Sequence, residues 1–175
     1  MCNGKDCAIC LRLKLSVTTK IRSAAQEDKS SIMRILSTTS EFKPTEVIVA
    51  EEVIDSYFRD LSGSGYHVLV AEIDLMVVGY VCYGPTPLTE GTWDMYWIAV
   101  DKERQGQGIG TTLMASAEDN IEKAEGRMIL IETSSVLGYE KTRRFYFTQG
   151  YEIICQISDF YTPGDHKIVF RKLLR

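Results

Sequence analysis

The sequence predicts a mixed α/β fold of the α+β type, with a mostly antiparallel sheet of about seven strands and four flanking helices. Short runs with strand character fill the middle and the end of the chain. Amphipathic patterns typical of helices separate them. Around residues 92–132 a strand, a helix and a further strand follow one another, and such a crossover makes two strands parallel.

The first hundred residues alternate between strand and helix patterns. Ile32, Ile35 and Leu36 lie on one face of the first predicted helix. Pro44 opens a second helix, whose apolar residues recur at spacings of three and four. A hairpin around residues 74–76 and a third long strand follow. The predicted bounds are a strand at 20–23, helices at 26–37 and 44–61, and strands at 67–73, 77–83 and 92–100.

The remaining residues predict two more helices and three strands. Residues 128–132 are continuously apolar, as in a strand buried on both faces. Gly150 is a C-cap signal for the helix predicted at 139–149. The final strands, 151–160 and 167–173, form an antiparallel pair. One face of the helix that ends near residue 126 carries Ile109, Leu113, Ala117 and Ile121.

Length and composition exclude several classes of protein. The chain has 175 residues, 45% hydrophobic and 25% charged, as in ordinary globular domains. No apolar run approaches the ~18 residues of a membrane span. The 24 acidic and 20 basic residues lack the basic excess of a nucleic-acid-binding protein. We therefore expect no membrane or nucleic-acid partner, and a single domain at 19–175 after a disordered extension at 1–18.

The five cysteines fall into two groups. Cys82 and Cys155 lie in apolar runs and are predicted to be small buried residues. Cys2, Cys7 and Cys10 have a spacing that fits metal ligands, but no histidine follows closely. Two interpretations are open: the three cysteines have a metal- or redox-linked role, or they are thiols without a function. The N-terminus lacks the apolar core of a secretion signal, so we expect reduced thiols and a cytoplasmic protein.

The most informative segment is the glycine loop, residues 105–110, which joins a strand to an amphipathic helix. The first N–H groups of a helix have no partner within it, and the helix dipole adds partial positive charge there. Glycines let a phosphate approach because they carry no Cβ atom. A pyrophosphate site is predicted, although a plain loop that contains glycines fits as well. The dinucleotide-binding pattern does not match, because Thr111 stands where its third glycine is required. The Walker pattern does not match either, because no Gly-Lys-Ser/Thr follows the loop.

The glycine loop resembles the signature Q/R-x-x-G-x-G/A of the GNAT superfamily of N-acetyltransferases; here it reads Gln-Gly-Gln-Gly-Ile-Gly. Two other segments resemble that family in its order along the chain, Val-Val-Gly-Tyr at 77–80 and the run from Arg to Tyr at 144–151. The resemblance covers roughly residues 20–173. It implies the GNAT fold, in which the fourth and fifth strands splay apart.

The resemblance also implies acetyl-CoA as a co-substrate and no metal. Backbone N–H groups of the glycine loop would hold the CoA pyrophosphate, and the fourth strand would pair with the pantetheine arm. One N–H near Ile98 would polarise the thioester carbonyl. The implied cofactor-binding residues are Ile98, Ala99, Val100, Gln105, Gly106, Gln107, Gly108, Ile109, Gly110 and Thr111.

Three residues are candidates for catalysis. Tyr146 stands where many GNAT members have the tyrosine that protonates the leaving thiolate, although packing of its helix is the alternative role. The acceptor amine must lose a proton before it attacks, and a carboxylate can take that proton. Asp94 lies where one branch of the family has a catalytic glutamate, and Glu132 closes the strand at 128–132. Either acid also fits a solvated strand end.

Other positions bear on the resemblance. Gln105 replaces the usual arginine, and Tyr139 replaces an asparagine that contacts the pantetheine in many members. In this family the last hairpin, here residues 159–165, often shapes the entrance for the acceptor.

The sequence therefore predicts an N-acetyltransferase that moves an acetyl group from acetyl-CoA to a primary amine of a small molecule or peptide. Direct attack within a ternary complex is expected, because no cysteine accompanies the motif. The resemblance is compatible with a homodimer. The alternative is a catalytically silent acyl-CoA-binding sensor or interaction domain, which would keep the glycine loop without turnover.

Overall fold

The computed structural model describes residues 18–61 and 63–174, in which one seven-stranded sheet carries helices on both faces. Cys2, Cys7 and Cys10 lie outside the described residues. The strands are β1 (Lys20–Ser23), β2 (His67–Ile73), β3 (Met76–Pro85), β4 (Thr92–Val100), β5 (Met128–Ser134), β6 (Glu152–Thr162) and β7 (Asp165–Leu173). The α-helices are α1 (Lys29–Thr38), α2 (Pro44–Arg59), α3 (Ile109–Lys123) and α4 (Glu140–Thr148).

The strands lie in the order β1-β2-β3-β4-β5-β7-β6. Every neighbouring pair is antiparallel except β4 and β5, which are parallel and are connected through α3. A helix crossover between two strands makes them parallel, whereas the short turns elsewhere produce antiparallel pairs. The predicted mixed, mostly antiparallel sheet is confirmed.

The parallel pair joins β5 to only the first part of β4. Residues 92–95 lie opposite residues 128–131, and Met95 with Ile131 is the last pair. Beyond this point β4 continues to Val100 but pairs only with β3 on its other side. The edge of residues 96–100 that faces β5 thus has no strand partner within the described residues, and an extended ligand would find free backbone groups there. The predicted splay of the two strands is confirmed.

A β-bulge in β4 sets which side chains face the splay. Cys82 pairs with Trp97 and Tyr83 pairs with Met95, so Tyr96 is the extra residue. Because of this insertion, Met95 and Ile98 face the same side of the sheet, and both contact one hydrophobic cluster.

Two hydrophobic clusters cover the two faces of the sheet. The first packs α3 and α4 against the strands, with Leu113 and Ile129 fully buried. The second packs α1 and α2 against the other face, around Ile32 and Ile54. Among residues 18–61 and 63–174, none of the helices combines the length and apolar character that crossing a bilayer requires. The predicted buried face of α3 is confirmed for Ile109, Leu113, Ala117 and Ile121.

Strand β6 is exposed, although its residue Cys155 was predicted to be buried. All 11 of its residues are exposed, and Ile153, Ile154 and Ile157 retain 46%, 44% and 43% exposure. The prediction that Cys155 is buried is wrong, whereas Cys82 is buried as predicted. The reason is topological: within residues 18–61 and 63–174, β6 is the outermost strand of the sheet and pairs with β7 alone.

Candidate active site

A cavity of about 560 Å³ opens where β4 and β5 separate. One end, the glycine-loop end, is formed by residues 104–106 and 108–111 together with Lys141, Thr142, Phe145 and Tyr146 of α4. The other end, the hairpin end, is formed by residues near the ends of α1, α2, β6 and β7: Thr39, Glu41, Phe42, Lys43, Glu46, Tyr139, Tyr161 and Asp165. The predicted site residues in its wall are Ile98, Ala99, Val100, Gln105, Gly106, Gly108, Ile109, Gly110, Thr111, Glu132 and Tyr146.

The glycine loop has the geometry of an anion site. Gly106 and Gly108 have φ values of +75° and +80°, which residues with a side chain rarely adopt. A Cβ atom on either would meet no atom within 4 Å, so the space above the loop is open. Gly108 is the N-cap of α3, so the first N–H groups of this helix adjoin that space. The free N–H groups and the helix dipole suit a pyrophosphate.

The two glutamines of the loop donate hydrogen bonds to backbone carbonyl groups that precede the loop. Nε2 of Gln105 donates to the carbonyl oxygen of Val100 at 3.2 Å. Nε2 of Gln107 donates to the carbonyl oxygen of Glu103 at 3.4 Å, and Gln107 does not line the cavity. Gln105 therefore stabilises the loop through its side chain, where many GNAT proteins have an arginine.

Tyr146 reaches the cavity from α4. It is 6% exposed, and its ring packs on Phe170 and Tyr151 at centroid distances of 5.5 and 6.2 Å. Within residues 18–61 and 63–174 its hydroxyl has no hydrogen-bond partner, although the side chain lines the cavity. Burial raises the pKa of the phenol above its ordinary value. The hydroxyl is thus protonated at neutral pH and can donate a hydrogen bond into the cavity.

The two candidate bases lie in different places. Glu132 lines the cavity, is 54% exposed and forms a 2.8 Å ion pair with Lys167. Asp94 accepts a 2.7 Å hydrogen bond from the Thr86 hydroxyl and is not part of the cavity wall. The structure brings Glu132, and not Asp94, into one cavity with Tyr146.

Across the described parts of the chain, no group of three or more His, Cys, Asp or Glu side chains has the arrangement of a metal site.

Sequence reasoning missed Thr133. Thr133 is a residue of the cavity wall and is 6% exposed, and its hydroxyl is buried without a hydrogen-bond partner among the described residues. A buried polar group without a partner costs about 1–3 kcal/mol. Because the hydroxyl is itself shielded from solvent, it is a local cost to stability and not a contact that the cavity presents to a ligand. No sequence signal marks it, because threonine is common in strands for packing reasons alone.

The segment between α1 and α2 closes the hairpin end. The hydroxyl of Tyr139 donates to the carbonyl oxygen of Glu41 at 2.6 Å and lies 3.3 Å from Oε2 of Glu46. Nζ of Lys43 lies 3.8 Å from Oδ2 of Asp165, at the start of β7. These contacts hold the segment over the cavity. Tyr139, which replaces an asparagine of the family pattern, is therefore part of this wall.

Residues 64–153 match the family model described as an acetyltransferase (GNAT) domain. The chain belongs to the GNAT family. The matched residues include the β2–β3 hairpin, the glycine loop and Tyr146, so the GNAT match covers the segments that carry the resemblance in sequence.

Individual GNAT relatives agree with this assignment. An uncharacterized N-acetyltransferase of Methanocaldococcus jannaschii is 34% identical over 106 residues, which are 59% of this chain and 64% of that protein. This chain therefore spans less than two thirds of that curated relative. A crystal structure assigned to the GNAT family from Desulfovibrio desulfuricans is 38% identical, with a TM-score of 0.86 and coverage of 89% of this chain and 99% of that one.

The shared fold extends to distant members. The PaiA N-acetyltransferase of Thermoplasma acidophilum, solved in complex with coenzyme A, is 14% identical and has a TM-score of 0.72. The match covers 90% of this chain and 99% of that one. At this level of identity the similarity shows the fold alone.

Proposed function

We propose that this GNAT protein transfers the acetyl group of acetyl-CoA to a primary amine by direct attack within a ternary complex. The observation that carries the proposal is the single cavity at the splay, which joins an anion-binding loop, the unpartnered Tyr146 hydroxyl and the Glu132 carboxylate. Acyl transfer to an amine needs each of these: a binding site for the acyl donor, a hydrogen-bond donor for the leaving group and an acceptor for the amine proton.

The glycine-loop end fits coenzyme A. The N–H groups of residues 105–111 would hold the pyrophosphate, and Arg104 and Lys141 in the same wall would add positive charge. The free edge of residues 96–100 would pair with the pantetheine arm as a strand pairs with its neighbour. Acetyl-CoA supplies an activated acyl group as a thioester. The N–H near Ile98 would stabilise the negative charge that develops on the carbonyl oxygen.

The transfer then needs an acceptor for the amine proton and a hydrogen-bond donor for the leaving thiolate. The neutral amine nitrogen attacks the carbonyl carbon, a C–N bond forms and the C–S bond breaks. Glu132, directly or through a water molecule, takes the proton that the nitrogen loses. Tyr146 donates its hydrogen bond to the leaving sulfur, whose thiol has an ordinary pKa near ~8.5 and leaves readily. Asp94 is the second candidate base and would need a relay water, because it lies outside the cavity wall.

The decisive experiment incubates the purified protein with acetyl-CoA and a panel of amines and measures the release of free thiol. Calorimetry with coenzyme A runs in parallel. Binding together with release is the expected outcome. Binding without release from any amine would favour a catalytically silent acyl-CoA sensor. Absence of binding would overturn both functions.

Assembly and location complete the proposal. The apolar, exposed edge strand β6 supports the homodimer that the resemblance suggests, because a second copy would pair with its free edge and cover Ile153 and Ile157. Light scattering on the protein in solution tests the homodimer, and a monomer would rule it out.

The cytoplasmic location, and the division into an extension at 1–18 and a domain at 19–175, stay predictions.

A further inference from the structure

Asp101 is the residue at which β4 passes into the glycine loop. Its backbone N–H donates to the carbonyl oxygen of Val78 at 2.8 Å, which continues the pairing of β3 with β4. Oδ1 of its carboxylate accepts from the backbone N–H of Glu103 at 3.2 Å, and its carbonyl oxygen accepts from the N–H of Arg104 at 2.8 Å. These bonds shape the short helical turn that leads from the strand to Gln105. The path of the chain into the glycine loop is therefore set at Asp101.

The other carboxylate oxygen of Asp101 joins this turn to α1, which lies on the opposite face of the sheet from α3. Nη1 of Arg34 donates to Oδ2 of Asp101 at 2.6 Å, and Nη2 donates to the carbonyl oxygen of Val77 at 3.4 Å. Only 17% of the Asp101 side chain is exposed, so water screens this ion pair less than a pair at the open surface. The hydrogen bond from Arg34 is the main cause that lowers the pKa of Asp101, so the carboxylate is charged at neutral pH.

Helix α1 is a fixed support for this ion pair. Ile32, Ile35 and Leu36 on its inner face are fully buried in the second hydrophobic cluster. The helix cannot shift without opening this cluster, and a loss of packing there is costly. Through Arg34, the entry to the glycine loop is therefore tied to the core of the molecule.

The same helix carries part of the wall at the hairpin end of the cavity. The hydroxyl of Thr39, the first residue after α1, donates to the carbonyl oxygen of Ile35 at 2.7 Å. The N–H of Phe42 donates to the carbonyl oxygen of Thr39 at 3.2 Å, and both residues line the cavity. Helix α1 thus connects the two ends of the cavity, through Arg34 in its middle and through Thr39 at its C-terminus.

The glycine loop depends on such support because it is exposed. Residues 105–108 are all exposed, and a Cβ atom on Gly106 or Gly108 would meet no atom within 4 Å. Ile109, which is 3% exposed, fixes the far end of the loop in the first hydrophobic cluster. Asp101 fixes the near end. A loop held at both ends is more often in the conformation whose N–H groups converge on one anion, and this preorganisation favours binding.

We propose that Arg34 is a positioning residue for coenzyme A, which holds the glycine loop, through Asp101, in the conformation that binds the pyrophosphate. Arg34 itself lies outside the cavity wall. The inference rests on the proposed binding of coenzyme A at the glycine loop. Without Arg34 the competent loop conformation is a smaller fraction of the free protein, and the apparent dissociation constant rises by the inverse of that fraction. Bound coenzyme A restores the loop, so the bound complex reacts as in the wild type.

Arg34→Met tests the proposal by calorimetry with coenzyme A and by steady-state kinetics. We expect the dissociation constant of coenzyme A and the KM for acetyl-CoA to rise about three- to tenfold, while kcat and the KM for the amine keep their wild-type values. Arg34→Lys keeps the positive charge and should recover part of the affinity. A dissociation constant in R34M equal to that of the wild type would overturn the inference, and so would a fall in kcat with unchanged affinity.

Lys29→Met is the matched control on the same helix. Lys29 pairs with two carboxylates of α2, Glu51 at 3.1 Å and Asp55 at 2.6 Å. Both substitutions remove one positive charge and one set of ion-pair contacts of α1, so the long-range attraction of an anionic ligand falls alike in the two variants. Only R34M should lose affinity for coenzyme A. Equal losses in R34M and K29M would overturn the inference, because they would come from charge or from the stability of α1.

Asp101→Asn and the double variant R34M/D101N complete a thermodynamic cycle. If Arg34 acts through Asp101, the double variant should bind coenzyme A no more weakly than the weaker of the two single variants. Losses of affinity that add in the double variant would show that Arg34 acts by another route, and would overturn the inference.

The binding data separate this inference from the proposed function. Equal binding of coenzyme A by the wild type and R34M, together with acetylation of amines, would reject the role of Arg34 and keep acetyl transfer. Weaker binding by R34M without acetylation by either protein would keep the role of Arg34 and reject acetyl transfer. Absence of binding by the wild type would overturn both.

Discussion

The hydroxyl of Tyr139, just before α4, donates a 2.6 Å hydrogen bond to the main-chain carbonyl of Glu41, 98 residues earlier. This bond holds the segment between α1 and α2 against the hairpin end of the cavity. It connects the elements on the two faces of the sheet at the place where an acceptor would enter.

We expect Tyr139→Phe to raise the KM for the amine about three- to tenfold, because it removes a hydrogen bond that holds the segment between α1 and α2 at the hairpin end of the cavity. The dissociation constant of coenzyme A should not change, since the glycine loop is intact. Steady-state kinetics and calorimetry measure the two quantities. The control is Tyr57→Phe, which removes a comparable buried bond to the carbonyl of Ala24 outside the cavity. An equal rise in KM in both variants would contradict the prediction.

Tyr146→Phe should lower kcat by roughly a hundredfold and leave the affinity for acetyl-CoA nearly unchanged, because the hydroxyl acts on the leaving sulfur. Single-turnover rates give the first quantity and calorimetry the second. Tyr80→Phe is a matched control: its hydroxyl is also buried and unpartnered among the described residues, but Tyr80 lies outside the cavity wall. Wild-type turnover in Y146F would assign Tyr146 a packing role only.

Gly108→Ala should weaken the binding of coenzyme A by about tenfold, because the methyl group enters the open space above the loop and the left-handed backbone is strained. Gly65→Ala has a similar φ of +75° and equally open surroundings, but it lies outside the cavity wall. Both variants should lose about 1 kcal/mol of stability, and only G108A should lose affinity. Equal affinities by calorimetry would place the pyrophosphate elsewhere.

Thr133→Val should keep or increase the free energy of unfolding, by up to about 1–3 kcal/mol, because it replaces a buried hydroxyl that has no partner among the described residues by a methyl group of similar size. Thr133→Ser keeps the hydroxyl, loses a buried methyl group and should be less stable than wild type. Thermal unfolding of the three proteins is the measurement. A loss of stability in T133V would show that the hydroxyl does have a partner in the folded protein.

Asp28→Asn tests the ion pair that joins β1 to the start of α1. The hydrogen bonds from Arg22 lower the pKa of Asp28. The stability from this pair is therefore present above the ordinary carboxyl pKa and is lost as the pH falls through the lower, folded-state pKa. We expect D28N to cost about 1–3 kcal/mol at neutral pH. Its difference from wild type should shrink below about pH 4.

Denaturant unfolding at neutral and acidic pH measures this difference. Glu140→Gln is the control, because its ion pair with Arg144 is largely exposed and contributes little. A difference between D28N and wild type that is constant with pH would show that charge at Asp28 is not the stabilising factor.

Elements with strong local patterns could be predicted from the sequence. The bounds of β1, β2 and β4 agree with the prediction residue for residue, and α2 begins at Pro44 as expected. Ends that depend on other elements were predicted less well. β5 continues past Glu132 to Ser134, because its pairing with β7 extends to those residues. The exposure of β6 follows from its place at the sheet edge, which an apolar run does not reveal.

The sequence by itself determined the order of strands and helices, the glycine loop and membership of the GNAT family, because these depend on spacing along the chain. Only the tertiary structure decided that Glu132 rather than Asp94 shares a cavity with Tyr146. It also decided that the Thr133 hydroxyl lacks a hydrogen-bond partner among the described residues, and that Tyr139 holds the segment between α1 and α2 against the cavity. Those relationships join residues far apart in sequence, and the point at which β4 and β5 separate sets their geometry.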